Sequence, residues 1–305
     1  MIETFDAVLP HGITLSCRAA GRAGAPLLLF LHGFPEAAFV WDELLEHFAD
    51  RYRCVAPNLR GYERSSAPPD VEAYRAKHLV GDISSLIDSL GGELAALIAH
   101  DWGGALAWGL ATQRPEAIRR LVIINSPHPA TFLRELRHSP AQQAASAYMN
   151  FLCRPDAEAL LSENDFARLW PFFTNMGAVD PAREGGGWLT GEVRDRYRAV
   201  WATSLRGGCN YYRASPLRPP LGPDDAVMKI EFAAAAVTSH VPTLVIWAED
   251  DTALPPALLD GLDAYVPDLS IVRVPGATHW IVHEQPERVA AEIEQALKSG
   301  DATAR

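Results

Sequence analysis

The run Ala99-His100-Asp101-Trp102-Gly103-Gly104 constrains this chain most, because it sets a carboxylate at the apex of a sharp strand-to-helix turn. Leu94 to Ala99 is an unbroken apolar run of the kind buried in a parallel sheet, and Ala105 to Ala111 continues as a helix packed against it. Such a turn tolerates only small residues two before and two after its apex, and Ala99 and Gly103 meet that demand. The helix N-terminus beyond the apex favours an anion through its unpaired N–H groups and its dipole. Asp101 therefore reads as an ionised nucleophile that forms an ester, against the plainer reading of a helix N-cap.

A nucleophile of this kind needs a base, and the base needs an orienting acid. Val241 to Ala248 reads as a second buried strand, and Glu249, Asp250 and Asp251 follow it, at the strand end where open α/β sheets gather their catalytic groups. Leu269 to Val274 reads as a further strand, and His279 lies on the loop beyond it. Upstream, Pro26 to Leu31 runs into His32-Gly33-Phe34-Pro35-Glu36. The backbone N–H groups of Phe34 and Trp102 are the expected oxyanion donors for the ester. Pro35 makes a cis peptide possible there, and Glu36 is a candidate for assisting proton movement.

The stretch between the strand 120–125 and the strand beginning near Val241 exceeds a hundred residues, too long for a plain connection. Its apolar segments predict helices at roughly Ala141 to Leu152, Ala157 to Leu161, Asp165 to Phe173 and Glu192 to Leu205, with Gly185-Gly186-Gly187 and the proline-rich 216–223 as loops. The fold expected is α/β: a mostly parallel sheet flanked by helices, with a core of residues 1–127 and 240–305 and an inserted helical cap of residues 128–239.

In His32-Gly33-Phe34-Pro35, His100-Asp101-Trp102-Gly103-Gly104, Ala248-Glu249-Asp250-Asp251 and Gly276-Ala277-Thr278-His279-Trp280, and along nearly its whole length, the chain resembles the epoxide hydrolases of the α/β-hydrolase superfamily. Asn58-Leu59-Arg60-Gly61-Tyr62 is similar to the family's Asp-Leu-Arg-Gly-Tyr stretch, with Asn departing from the commoner Asp. The resemblance implies that Asp101 is the nucleophile, His279 the water-activating base and Asp251 its partner, with Asp250 the alternative acid. It implies that Tyr148, in Ser146-Ala147-Tyr148-Met149, and Tyr212, in Asn210-Tyr211-Tyr212-Arg213, are the paired tyrosines that hold the epoxide oxygen. His32, Pro35, Trp102 and Tyr211 are the expected substrate-binding residues. A neutral phenol suits the task, since it donates a hydrogen bond and then a proton as charge develops.

Two rival readings stay open at this level. A haloalkane dehalogenase shares the nucleophile, and the Trp102 indole is able to bind halide. Phe34 stands where those enzymes commonly carry a donor-bearing Asn, and its ring cannot donate. A non-catalytic ligand-binding relative shares the fold, though the complete set of nucleophile, acid and histidine argues against it. Arginines that hold a carboxylate in haloacetate dehalogenases are replaced by the neutral Trp102 and Ala105.

The 305 residues and 48% hydrophobic content suffice for a large core plus an insertion. A net charge of −11 disfavours nucleic acid and anionic membranes as partners. The N-terminal stretch lacks a cationic, apolar leader, and no run of about 18 apolar residues occurs, so the expectation is a cytoplasmic protein, monomer or homodimer. Its expected partners are a small apolar epoxide and water. Cys17, Cys54, Cys153 and Cys209 lack metal-ligand spacing and read as reduced thiols. His279 and His283 lack the Glu of a zinc helix, so no metal or organic cofactor is expected, and His283 reads as structural or surface. The end, 298–305, is expected to fray.

Overall fold

The computed structural model describes residues 1–182 and 184–302. Eight strands form one sheet: β1 Glu3–Val8, β2 Thr14–Ala20, β3 Leu27–Leu31, β4 Arg53–Pro57, β5 Ala96–His100, β6 Leu121–Ile124, β7 Thr243–Ala248 and β8 Leu269–Val274. Their order is β1-β2-β4-β3-β5-β6-β7-β8. The β1–β2 and β2–β4 pairs are antiparallel, and every pair from β4 to β8 is parallel. The central strands β3, β5 and β6 are buried at every position, as strands covered on both faces must be. The edge strands β1 and β8 alternate with exposed residues instead.

Helices α1 Asp42–Phe48, α2 Ala76–Ser89 and α3 Trp102–Gln113 pack on this sheet, as does α12 Pro286–Ala302 near the end of the chain, after the short α11 Ile281–Glu284. Helix α12 continues to Ala302, so positions 298–302 of the end expected to fray are helical; positions 303–305 lie outside the described residues. From β6 to β7 the described chain is helix and loop: α4 Pro129–His138, α5 Pro140–Ala145, α6 Ala147–Leu152, α7 Ala157–Phe166, α8 Trp170–Thr174, α9 Gly191–Ala214 and α10 Ala234–Val237.

Several bounds differ from the sequence expectations, each for a local reason. The helix expected over 141–152 is two helices meeting at Ser146. The one expected over 165–173 is interrupted where Asn164 and Asp165 take positive φ, with Asp165 held by Arg198. Helix α4 was not among the expected helices, yet it carries ordinary start signals: Pro129 in its first turn and a His128 ring nitrogen accepting the Ala130 N–H. Helix α9 runs nine residues beyond the expected Leu205, carrying Tyr211 and Tyr212 onto its last turns. Among the described residues, no helix is long and apolar enough to cross a membrane.

Candidate active site

The strand ends β3, β5, β6, β7 and β8 each deliver one group to the same place. Asp101 follows β5 with φ 50° and ψ −122°, a left-handed conformation that costs a non-glycine residue on the order of 1–3 kcal/mol. The cost is tolerated because neighbours over-determine the turn. The Ser126 hydroxyl donates to the Asp101 carbonyl at 2.6 Å, and a Cβ on Gly103 would lie 2.4 Å from the Leu31 carbonyl oxygen. Asp101 makes no side-chain cap to α3, so the N-cap reading fails. One carboxylate oxygen, Oδ1, accepts the Phe34 N–H at 2.7 Å. The second expected donor, the Trp102 N–H, has no hydrogen bond to this carboxylate among the described residues.

Gly33 matters here too: a Cβ would sit 2.1 Å from Asp101 Oδ1, so only glycine lets the β3 loop bring its N–H to the carboxylate. The Phe34–Pro35 peptide is cis.

His279 faces Asp101 with Nε2 3.7 Å from Oδ2, and its Nδ1–H donates to Asp251 Oδ2 at 2.6 Å. Asp251 is buried and accepts three further donors: Asn125 Nδ2 at 2.8 Å, and the N–H groups of Ala253 and Leu254. Burial pushes its carboxyl up, but His279 and these donors outweigh it, so the pKa falls below the ordinary value. The alternative acid, Asp250, is exposed, which leaves Asp251 as the orienting group. Burial pulls His279 down, yet the charge and hydrogen bond of Asp251, with Asp101 and Glu36 behind them, raise it to about 9.

A cavity of about 240 Å³ opens above Asp101 and His279, and Tyr148 of α6, Tyr212 of α9 and Phe34 line it with them. The Tyr148 and Tyr212 rings meet edge to face with centroids 6.0 Å apart, and Tyr212 packs edge-on against Trp102 at 5.1 Å. Burial pushes both phenols well above their usual pKa, the Asp101 charge adding to it, so each keeps its proton. A second, larger cavity of about 440 Å³ shares Asp101, Tyr148 and Tyr212, and adds Trp102 and Tyr211.

Of the expected substrate contacts, His32 and Pro35 line neither cavity, while Trp102 and Tyr211 line the larger one. His32 is buried, accepts the Leu59 N–H on Nε2 and has Nδ1 against the Gly33 carbonyl; burial takes it down to about 4, and the neutral ring ties the β3 loop to the 58–62 loop. Pro35 turns its carbonyl to the Trp201 indole at 2.7 Å. The hydroxyl of Tyr211 donates to the Arg60 carbonyl at 3.0 Å, so only its ring faces a cavity. Asn58 accepts the Ala38 N–H and donates through Nδ2 to the Ser16 hydroxyl at 3.0 Å and to Glu63; a carboxylate has no donor for the last two, which accounts for an amide in place of Asp.

Sequence reasoning missed a buried network behind the histidine. Glu36 lies fully inside, accepting the Tyr197 hydroxyl at 2.8 Å and standing 2.9 Å from His283 Nε2 and 3.4 Å from His100 Nδ1. Burial raises its carboxyl, yet the two imidazoles win and hold it well below the usual range. The far nitrogen of His100 reaches the His279 carbonyl at 2.9 Å. His283 stacks on Trp188 at 4.1 Å and is part of this network rather than a surface residue. Asn125, holding Asp251 and the Ala248 N–H at once, was also missed, although its place at the end of β6 was a signal.

Residues 26–286 match the family model of the α/β-hydrolase fold. Among curated proteins, the chain is 34% identical to mouse epoxide hydrolase 4, over 94% of this chain and 77% of that protein. It is 36% identical to the AB hydrolase superfamily protein YfhM of Bacillus subtilis, over 95% and 96% respectively. Among solved structures, an epoxide hydrolase of Bacillus megaterium in complex with an inhibitor superposes with a TM-score of 0.87 at 31% identity, over 96% of this chain and 100% of that one.

Proposed function

The chain belongs to the α/β-hydrolase family and to the epoxide hydrolases within it, and we propose that it converts an apolar organic epoxide to a vicinal diol through an ester on Asp101. The observation that carries this reading is the convergence of nucleophile, base and two protonated phenols on one cavity. An epoxide oxygen held by Tyr148 and Tyr212 puts a ring carbon within reach of Asp101. As the carboxylate bonds to that carbon, the carbon–oxygen bond breaks and the alkoxide takes a phenolic proton.

The ester is then hydrolysed. Neutral His279, oriented by Asp251, takes a proton from water, and the resulting hydroxide adds to the Asp101 carboxyl carbon. The oxyanion receives the Phe34 N–H, with the Trp102 N–H, at the head of α3, as its second donor. Collapse frees the diol and restores the carboxylate; the His279 proton returns to the tyrosinate, which closes the balance at one epoxide plus one water. The residues 128–239 act as a cap in this scheme, supplying both phenols. We place the enzyme in the cytoplasm, in keeping with four free thiols.

The dehalogenase reading has less support. A halide needs N–H donors, and Phe34 has only a ring where a second donor beside the Trp102 indole would stand.

The test is trapping. His279→Gln incubated with styrene oxide should accumulate a mass adduct on the peptide containing Asp101, because the first half-reaction survives while hydrolysis does not. Wild-type diol formation with no adduct on Asp101 in this variant would overturn the ester pathway.

A further inference from the structure

The two cavities that meet at Asp101 are unequal, about 240 and 440 Å³, and they share the reacting groups Asp101, Tyr148 and Tyr212. An epoxide bound between them has its two carbons at the junction and its substituents directed into different spaces. The larger space extends along α3. Trp102, Ala105, Leu106 and Gly109 recur at the spacing of one helix face, and seven residues at 1.5 Å rise make a floor about 10 Å long. Its opposite wall is apolar, with Phe132 of α4, Leu217 and Phe232. Ala105 is the small exposed residue at the start of that floor, one turn from the nucleophile; a larger side chain there meets the arm first.

Resting on the epoxide hydrolase reading above, we infer that this chain's preferred substrates are internal, 1,2-disubstituted epoxides with one long apolar arm, that the long arm lies along α3, and that Ala105 sets the length accepted. Among the described residues, those lining the larger cavity include no Lys, Arg or His to meet a terminal carboxylate, so the arm is hydrocarbon rather than an anionic chain. Remote apolar contact of this kind raises kcat/KM as the arm leaves water, about fourfold per buried methylene.

The experiment uses the full chain and a series of trans-2,3-epoxyalkanes from epoxybutane to epoxydecane, with wild type and Ala105→Leu. Wild-type kcat/KM should climb about fourfold per methylene until the cavity fills. In Ala105→Leu, the ratio of epoxydecane to epoxybutane should fall tenfold or more. Each ratio is taken on one preparation, so a loss of folded protein cancels. Turnover of epoxybutane with no gain along the wild-type series, or an unchanged ratio in Ala105→Leu, overturns the assignment of the long arm while leaving the epoxide hydrolase reading standing. No turnover of any member, with no adduct in the His279→Gln trapping experiment, sinks both together.

Discussion

At the scale of the single residue, the raised pKa of His279 sets a problem that the mechanism itself resolves. A group at about 9 is an imidazolium at neutral pH and cannot accept a proton from water. Part of that elevation comes from the Asp101 carboxylate 3.7 Å away, and esterification removes that charge. The base is thus released at the step that needs it. Two measurements check this. The kcat profile, when limited by ester hydrolysis, should rise with pH through a midpoint below about 9. In Asp101→Asn, which should lose diol formation by at least about a thousandfold, the His279 titration followed by NMR should likewise move down from about 9; an unmoved midpoint would refute the coupling. The phenols make a separate case. Tyr148→Phe and Tyr212→Phe should each lower kcat/KM by about 10²-fold or more. The double variant should lose less than the product of the two, because both hydroxyls serve one oxygen.

At the scale of the element, α9 decides whether those phenols arrive. It packs so closely on the 58–66 loop that a Cβ on Gly207 would lie 2.3 Å from the Gly61 carbonyl oxygen and 2.5 Å from the Gly61 Cα. Both are backbone atoms that cannot swing aside, and Gly61 itself has φ 87°. Gly207→Ala should therefore cost about 1–3 kcal/mol in chemical denaturation and lower kcat as well, since Tyr211 and Tyr212 lie on the next turn. Full stability and full activity would show that the contact yields more readily than backbone should. The same elements show what was legible in the sequence. Buried parallel strands are uniform apolar runs, so β3, β5, β6 and β7 were readable within a residue or two; β8 was read at its observed bounds from its alternating Leu, Ile and Val, and with these strands came the loops bearing Phe34, Asp101 and His279. The antiparallel β1 and β2 were not, because β1 is largely exposed and β2, though mostly buried, mixes Thr, Ser, Cys and Arg so that no apolar run marks it. Helix α9 was cut short since Gly207 and Gly208 look like breakers until their close neighbours are known. The Glu36 network was invisible because its members, at 36, 100, 197 and 283, share no local pattern.

At the scale of the whole molecule, buried histidines shifted in opposite directions define where the fold is most stable. His32 and His128 are both taken down to about 4 by burial. Between about 6.5 and 4 the unfolded chain binds their protons and the native state does not, so stability falls as the pH drops through that window. His279 runs the other way. Its value of about 9 means that its contribution is complete below 6.5 and is lost as the pH rises towards 9. Glu36, held low by its imidazoles, adds to the acid loss only below about 4.5, and the buried Cys17, Cys54 and Cys209 thiols, raised to about 12, act only above 9. The stability maximum should therefore lie near pH 6.5. One proton linked to folding gives a slope of about 1.4 kcal/mol per pH unit, so the acid limb, with two histidines, should be up to about twice as steep as the basic one. Urea denaturation from pH 5 to 9 reads both limbs. His279→Gln should flatten the basic limb and leave the acid limb in place; a basic limb that persists in that variant would mean that the Asp101, His279 and Asp251 cluster does not couple folding to pH.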